Sequence, residues 1–211
     1  MFTIDSAMAC SPPSLHRYDH CIHNGDVDAA LRDAPHRLSG RLYVGAQEHF
    51  YMEPHSVVAV PGERHGEMTI HAMTQCVTKT NRLVAACLGV HEAHVNTKVR
   101  RIGGGFGGKE TLSTYRAAAA AVAANKLKRA VRMSMTREED MLASGQSHPF
   151  RGTWTVGFDA DGRLLGADVE LVNNAGSTEC CSNVVMDRGV AHFQNAYHFP
   201  ALRVVGKVGT E

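Results

Sequence analysis

The sequence predicts a mixed α/β fold of the α+β type, because segments with the alternation of strands are interleaved with segments that have the periodicity of helices. Three observations carry this prediction. An alanine-rich helical segment spans residues 110–128, four strand-like segments precede it, and two alternating segments flank the turn sequence at residues 159–162. The 211 residues suffice for one large domain or two small ones.

Several elements of the first half have a recognisable start or end. Asp26 is predicted to cap a short helix over residues 27–34. Thr74 is predicted to open a helix over residues 75–88, and Gly89 to end it. Alternation of apolar and polar residues predicts strands at residues 36–45, 55–62, 66–73 and 94–102.

The second half contains the alanine-rich helix. Thr136 and Glu139 have the spacing of a capping box at the start of a further helix over residues 137–142. A short buried strand is predicted at residues 130–135 and a hairpin at residues 150–176. The apolar face of the alanine-rich helix is predicted to consist of Leu112, Tyr115, Ala119 and Val122.

Composition limits the classes of partner. The formal net charge is +1, so the chain lacks the basic footprint of a nucleic-acid-binding protein. No apolar run approaches the roughly 20 residues that a membrane helix needs, and the N-terminus lacks the pattern of a signal peptide. The six cysteines form no C-x-x-C pair, which favours reduced thiols and argues against zinc or iron–sulfur ligation by this chain.

The glycine-rich segment "RIGGGFGGKE" (residues 101–110) matches two nucleotide-binding patterns without completing either. A P-loop needs Ser or Thr where this chain has Glu110, and a dinucleotide fold needs an acidic residue about 20 positions later, where the alanine-rich helix lies. Two interpretations remain open. The exposed amides bind an anionic or oxo ligand, or the segment is a tight strand-to-helix turn with Glu110 in the first turn of the helix.

Four segments in a fixed order extend this pattern. They are "AQEHFYMEP" (46–54), "MTQCVTKT" (73–80), the glycine-rich segment (101–110) and "MDRGVAHFQNAYHFP" (186–200). Together they resemble the molybdenum hydroxylases, the family of xanthine dehydrogenase/oxidase and the aldehyde oxidases. The resemblance covers nearly the whole chain and is far more specific than a glycine motif alone.

The resemblance implies a domain organisation. Residues 1–24 are similar to a linker or the end of a preceding small α/β domain, and residues 25–211 to the N-terminal part of a molybdopterin-binding domain. In the family, iron–sulfur and FAD domains precede this region and further cofactor-binding motifs follow it. The 2Fe-2S clusters and FAD are therefore expected in a full-length enzyme but not on this chain. The full-length enzyme is expected to be a cytoplasmic or peroxisomal homodimer, and the chain alone is expected to be inactive.

The resemblance also implies roles for five residues. Gln75 would hydrogen-bond an oxo ligand of the molybdenum–molybdopterin cofactor, and Phe106 and Gly107 would approach the metal through their backbone. Gln75 and Phe106 would thus form the surroundings of the molybdenum. Glu110 and Arg188 would act on the substrate as catalytic residues.

A purine substrate is implied by Glu110 and Arg188. In the family, the glutamate is typical of enzymes that hydroxylate hypoxanthine to xanthine and xanthine to urate, whereas aldehyde oxidases usually have an apolar residue there and lack the arginine. A carboxylate can move protons at the purine ring, and a guanidinium can stabilise developing negative charge. The alternatives are an aldehyde-oxidising relative, a non-catalytic truncated module, and a surface salt bridge for Arg188. The residues do not distinguish NAD from dioxygen as electron acceptor.

Overall fold

The computed structural model describes residue 5, residues 15–176 and residues 180–209. The chain forms two compact units. The flanking unit comprises Met1–Ala46 and His148–Glu211, and the central unit comprises Gln47–Ser147. In chain order the elements are β1 (Leu15–Asn24), α1 (Val27–Asp33), β2 (His36–Val44), β3 (Ser56–Pro61), β4 (Met68–Ala72), α2 (Val77–Leu88), a 3₁₀ turn (Glu92–His94), β5 (Val95–Lys98), α3 (Leu112–Leu127), β6 (Val131–Ser134), α4 (Arg137–Ala143), β7 (Phe150–Phe158), β8 (Leu164–Asn174), α5 (Ser182–Ala191) and β9 (Ala201–Gly209).

The flanking unit is built on a five-stranded sheet with the order β1-β9-β8-β7-β2. Strands β8 and β9 are parallel and joined through α5, whereas the other pairs are antiparallel. Helix α5 packs on the apolar face of the sheet, where the fully buried Met186 lies over Gly206. This packing fixes the position of the helix that carries Arg188.

The residues predicted to form a linker contain a paired strand. Within residues 1–24, the described segment Leu15–Asn24 is strand β1, which pairs with β9 in antiparallel register. The link to a preceding domain remains a prediction.

The central unit combines a four-stranded sheet, with the order β5-β4-β3-β6, and the helices α2 and α3. Strands β4 and β5 are parallel, and the other pairs are antiparallel. The glycine-rich segment follows β5 and leads towards α3, so the sheet and the helix hold its two ends.

Most predicted elements are confirmed, including their end signals. The side chain of Asp26 accepts a hydrogen bond from the N–H of Ala29 at the start of α1, and Thr136 and Glu139 form the predicted capping box of α4. Gly89 adopts the left-handed conformation that ends α2. Helix α2 begins at Val77, two residues later than predicted.

The predicted apolar face of α3 is wrong. Tyr115 and Val122 are 56% and 46% exposed, and Ala119 is exposed as well. Small side chains instead let α3 pack closely on α2 and β3, so the alanines form the buried face. Its fully or nearly fully buried alanines are Ala117, Ala120, Ala121 and Ala124.

The prediction that residues 130–135 form a buried strand is also wrong in its burial. Among the described residues, strand β6 is an edge strand with β3 as its one partner, and three of its four residues are exposed. Edge strands have one neighbour and bury less of their surface. No helix in the described part of the chain is long and apolar enough to cross a bilayer.

A pair of substitutions in α3 tests the alanine face. Ala121→Leu places a large side chain at a site with 0% exposure, and overpacking is expected to lower the free energy of unfolding by about 1–3 kcal/mol. Ala119→Leu, on the exposed face of the same helix, should change it by less than about 0.5 kcal/mol. Urea denaturation of both variants measures the difference, and equal effects would contradict the assigned face.

Candidate functional site

The glycine loop, defined as residues 103–109, lies in the central unit between β5 and α3. Gly104 and Gly107 have φ angles of +90° and +91°, and Phe106 has a φ of +51°. The N–H of Gly108 donates to the carbonyl of Gly105 at 2.7 Å and closes a tight turn. A positive φ is uncommon for a bulky residue, and here it turns the Phe106 side chain outward, where it is 74% exposed.

Gln75 holds this loop from the segment that precedes α2. Its side-chain Oε1 accepts hydrogen bonds from the N–H groups of Gly107 and Lys109, both at 3.1 Å, and its own backbone N–H donates to the carbonyl of Lys109 at 2.9 Å. Two N–H donors require an acceptor, so this atom of the amide is the oxygen. The Nε2 group of Gln75 is consequently left as a donor.

Gly105 is required for this contact. A Cβ atom at position 105 would lie 2.4 Å from Gln75 Oε1 and 2.7 Å from Gln75 Cδ. Any side chain would therefore push the Gln75 amide away from the loop. The close approach of the amide to bare backbone explains the glycine without reference to a nucleotide phosphate.

Several donors at the loop have no partner within the described part of the chain. They include the Nε2 group of the exposed Gln75 and the backbone N–H groups of Gly104 and Phe106. Preorganised donors of this kind suit an anionic or oxo group, because such a group accepts several hydrogen bonds at once. The residues present therefore fit a cofactor with oxo ligands and a negative charge.

A buried polar network supports the loop from within the central unit. Asp140 is fully buried and accepts hydrogen bonds from the Tyr51 hydroxyl at 2.5 Å, the His55 N–H at 2.6 Å and the Ser144 hydroxyl at 3.0 Å. Tyr51 and the ring of His49 both border Gly108. A Cβ atom at position 108 would lie less than 3 Å from each of these two side chains. The network thus fixes the aromatic surface on which the loop rests.

The network shifts the pKa of its members. Burial raises the pKa of Tyr51 to about 12 and lowers the pKa of His55 to about 4. Burial alone would raise the pKa of Asp140, but the hydrogen bonds from Tyr51 and from the His55 N–H outweigh it and lower that pKa. At neutral pH the network therefore consists of a carboxylate, a neutral phenol and a neutral imidazole.

Glu110 lies before the helix and not in its first turn. Helix α3 begins at Leu112 after Thr111, so the interpretation of Glu110 as a first-turn residue is wrong. The side chain is half-buried, and no hydrogen bond or ion pair joins it to a described residue. Its carboxylate is thus available to a ligand.

The predicted site residues are divided between the units. Gln75, Phe106, Gly107 and Glu110 belong to the central unit, where hydrogen bonds join Gln75 directly to the glycine loop. Arg188 belongs to the flanking unit, in the last turn of α5. It is exposed and forms no ion pair with any residue that the structure describes, so the predicted alternative of a surface salt bridge is not observed there.

The sequence also failed to reveal a close contact between the side chains of Glu53 and Lys109. Both residues lie inside motifs that were recognised, but 56 positions separate them. No local spacing signals such a contact.

Comparison with known proteins decides the family. The family model of the molybdopterin cofactor-binding domain matches residues 12–210. The chain belongs to this family. The glycine loop and Gln75 are therefore features of a molybdopterin-binding domain, and the resemblance in the sequence is confirmed.

Individual relatives agree with this assignment. The chain is 43% identical over 187 residues to a xanthine dehydrogenase of Emericella nidulans, a match that covers 89% of this chain and 14% of that protein. It is 38% identical over 212 residues to a nicotinate hydroxylase of the same organism, covering 99% of this chain and 16% of that protein. The aldehyde oxidoreductase from Desulfovibrio gigas has the same fold, with a TM-score of 0.81 at 23% identity over 94% of this chain and 22% of that one. The chain thus spans about a seventh of the length of these curated relatives.

Because the imidazole of His55 is buried, we expect acid to lower the free energy of unfolding of the central unit. The pKa of His55 in the fold, about 4, lies below its value of 6.5 in an unfolded chain, so stability is fully present above pH 6.5. It should decline as the pH falls from 6.5 towards 4, by on the order of 2–3 kcal/mol from this group. His55→Gln removes the titration, and urea denaturation at pH 7 and pH 4.5 should show a smaller loss in the variant. Equal losses in both proteins would contradict the assignment.

Proposed function

We propose that this chain contributes the glycine-loop side of the molybdenum site in a hydroxylase of the xanthine dehydrogenase/oxidase type, an oxidoreductase that converts hypoxanthine to xanthine and xanthine to urate. One observation carries the proposal. The Oε1 atom of Gln75 is held by two backbone N–H groups of the loop, which directs the remaining amide donor outward beside unpaired loop amides. The 43% identity to a xanthine dehydrogenase supports the reaction class.

Three residues would hold the cofactor. When bound, the molybdenum–molybdopterin group supplies the two-electron oxidation that hydroxylates a ring carbon with oxygen from water. Gln75 would donate from Nε2 to an oxo ligand, while Phe106 and Gly107 would approach the metal through their backbone. Because the Gln75 amide is fixed before binding, little reorganisation is needed when the cofactor arrives.

Glu110 and Arg188 would act on the purine. The Glu110 carboxylate would accept a hydrogen bond from a ring N–H and carry a proton during hydroxylation. The Arg188 guanidinium would stabilise negative charge that builds up on the ring. The exposure of Arg188 and the absence of described partners for either side chain are consistent with binding a substrate.

The remaining parts of the enzyme belong to the same proposal. Because the relatives are about seven times longer than this chain, we propose that a complete protein also carries 2Fe-2S clusters and FAD and forms a homodimer. Electrons from the substrate would leave through these groups to NAD or dioxygen.

A second candidate substrate is nicotinate. It is favoured by the 38% identity to a nicotinate hydroxylase across 99% of this chain. Nicotinate is also an electron-poor nitrogen heterocycle, but it carries a carboxylate that a guanidinium such as that of Arg188 would bind directly. An aldehyde would need neither Glu110 nor Arg188.

Substitution of Glu110 tests the substrate. In the complete, cofactor-loaded protein, Glu110→Gln should lower xanthine turnover by about 100- to 1,000-fold, as expected for loss of a transition-state contact, while aldehyde turnover survives. Steady-state rates with xanthine, hypoxanthine, nicotinate and an aromatic aldehyde measure this, with the exposed Glu63→Gln as control. Equal loss on all substrates would contradict the role of Glu110. Faster turnover of nicotinate than of xanthine by the unmodified protein would favour the second candidate.

Substitution of Gly105 tests the cofactor contact. Gly105→Ala should lower the molybdenum content per polypeptide by about tenfold or more, because its Cβ must displace the Gln75 amide. The control is Gly45→Ala, whose Cβ would meet nothing within 4 Å. Metal analysis of the purified proteins gives the result, and an unchanged molybdenum content in Gly105→Ala would contradict the contact.

A further inference from the structure

The side chain of Lys109 is completely buried, although it belongs to a glycine loop. Its ammonium group lies 3.3 Å from Glu53 Oε2 and 4.6 Å from the centre of the Tyr51 ring, and its exposed fraction is 0%. Lysine is almost never fully buried unless it is paired. Burial lowers the pKa of Lys109, whereas the hydrogen bond and the charge of Glu53 act in the opposite direction. The charge of this lysine in the fold therefore depends on Glu53.

Glu53 also holds the start of the loop. The same Oε2 atom accepts a hydrogen bond from the N–H of Gly103 at 2.7 Å, and the N–H of Glu53 donates to the carbonyl of Gly103 at 3.3 Å. A Cβ at position 103 would lie 2.6 Å from Glu53 Cβ, so the two chain segments touch. One carboxylate oxygen thus joins the first residue of the loop to the side chain of the last.

The end of the loop is held at the same time. The N–H of Lys109 donates to Gln75 Oε1 at 3.1 Å. Its carbonyl accepts hydrogen bonds from the Gln75 N–H at 2.9 Å and the Ser113 hydroxyl at 2.7 Å. The backbone of Lys109 therefore fixes the amide that faces the proposed metal, while its side chain reaches back to Glu53.

We propose that Glu53 and Lys109 are positioning residues for the molybdenum site. Their ion pair, in which Lys109 is fully buried and Glu53 is 37% exposed, ties Gly103 to Lys109. This closure sets the position of the Phe106–Gly107 peptide and of the Gln75 amide. The inference rests on the proposed function. The pair sets the geometry of the cofactor site, and neither residue touches the substrate.

A role in geometry fits the physics of an ion pair with one buried partner better than a role in stability alone. Removing the Lys109 charge from water costs nearly as much as its attraction to Glu53 returns, so the pair adds little net stability. Removing Glu53 leaves an uncompensated charge on the buried Lys109, which is strongly unfavourable, whereas removing Lys109 leaves a carboxylate that water reaches. Removing both charges together restores the balance but leaves the loop without its closure. The single variants and the double variant therefore distinguish a role in geometry from a role in stability alone.

The test uses the complete protein, as isolated from cells that supply the cofactor, and three variants: Glu53→Gln, Lys109→Met and the double variant. Four quantities are measured, namely molybdenum per polypeptide, thermal unfolding, the electron paramagnetic resonance spectrum of Mo(V), and kcat and KM for xanthine. The control is Glu92→Gln, which breaks the Arg82–Glu92 pair of the same unit, where both side chains are more than half exposed. It should leave all four unchanged.

The expected result is a separation of stability from function. Each single variant should lose about 10- to 100-fold in kcat or in molybdenum content, as supporting residues of metal sites do. The double variant should recover the thermal stability but retain an altered Mo(V) spectrum and a low kcat. Full recovery of spectrum, kcat and stability together would overturn the inference, and so would single variants with an unchanged spectrum and kcat. An unmodified protein that contains no molybdenum would overturn the proposed function as well, which distinguishes the two failures.

Discussion

The amide oxygen of Gln75 accepts two backbone hydrogen bonds from the glycine loop, and the arrangement of the site depends on this acceptor. It brings the segment before α2 against residues 107 and 109, and it identifies the orientation of an amide that would otherwise be ambiguous. Because the oxygen is used inside the protein, the nitrogen is the group presented to a ligand. Position 105 requires glycine because a Cβ atom there would overlap with that oxygen.

The N–H donors of the loop can bind a ligand without reorganisation only if their positions are fixed. Buried polar groups of the central unit fix them. A fully buried aspartate, Asp140, orders Tyr51 and the backbone at His55, and Tyr51 in turn contacts Gly108 and Lys109. Such networks are costly unless every member is satisfied, and the Nδ1 atom of His55 is one buried atom without a described partner. The unfavourable free energy of this buried polar atom arises beside the loop, whereas the hydrophobic core of the unit lies between the sheet and α3.

Local chemistry explains which parts of the fold the sequence predicted. The cap at Asp26, the capping box at Thr136 and the left-handed Gly89 each depend on residues within four positions, and each was predicted correctly. The face of α3 was predicted wrongly because large apolar side chains usually mark the buried face of a helix. In this helix, close packing instead selects small alanines and leaves Tyr115 exposed.

The site was predictable to the extent that it lies in contiguous motifs. Gln75 and the glycine loop were found through their resemblance to a family, and the hydrogen bonds between them give that resemblance a physical basis. The pairing of Glu53 with Lys109 could not be predicted, because contacts across 56 residues depend on the tertiary fold. The start of α3 after Glu110 was also missed, since helix boundaries are set by caps and packing more than by composition.

The central claim is that Gln75 and the glycine loop face a molybdenum cofactor. Anomalous X-ray diffraction from crystals of the complete, cofactor-loaded protein, recorded on both sides of the molybdenum absorption edge, tests it most directly. The account predicts a molybdenum peak beside Gln75 Nε2 and the Phe106–Gly107 peptide, with Gln75 Oε1 still bonded to the loop. A molybdenum peak remote from the loop, or a Gln75 amide turned away from Gly107 and Lys109 in the loaded protein, would contradict it.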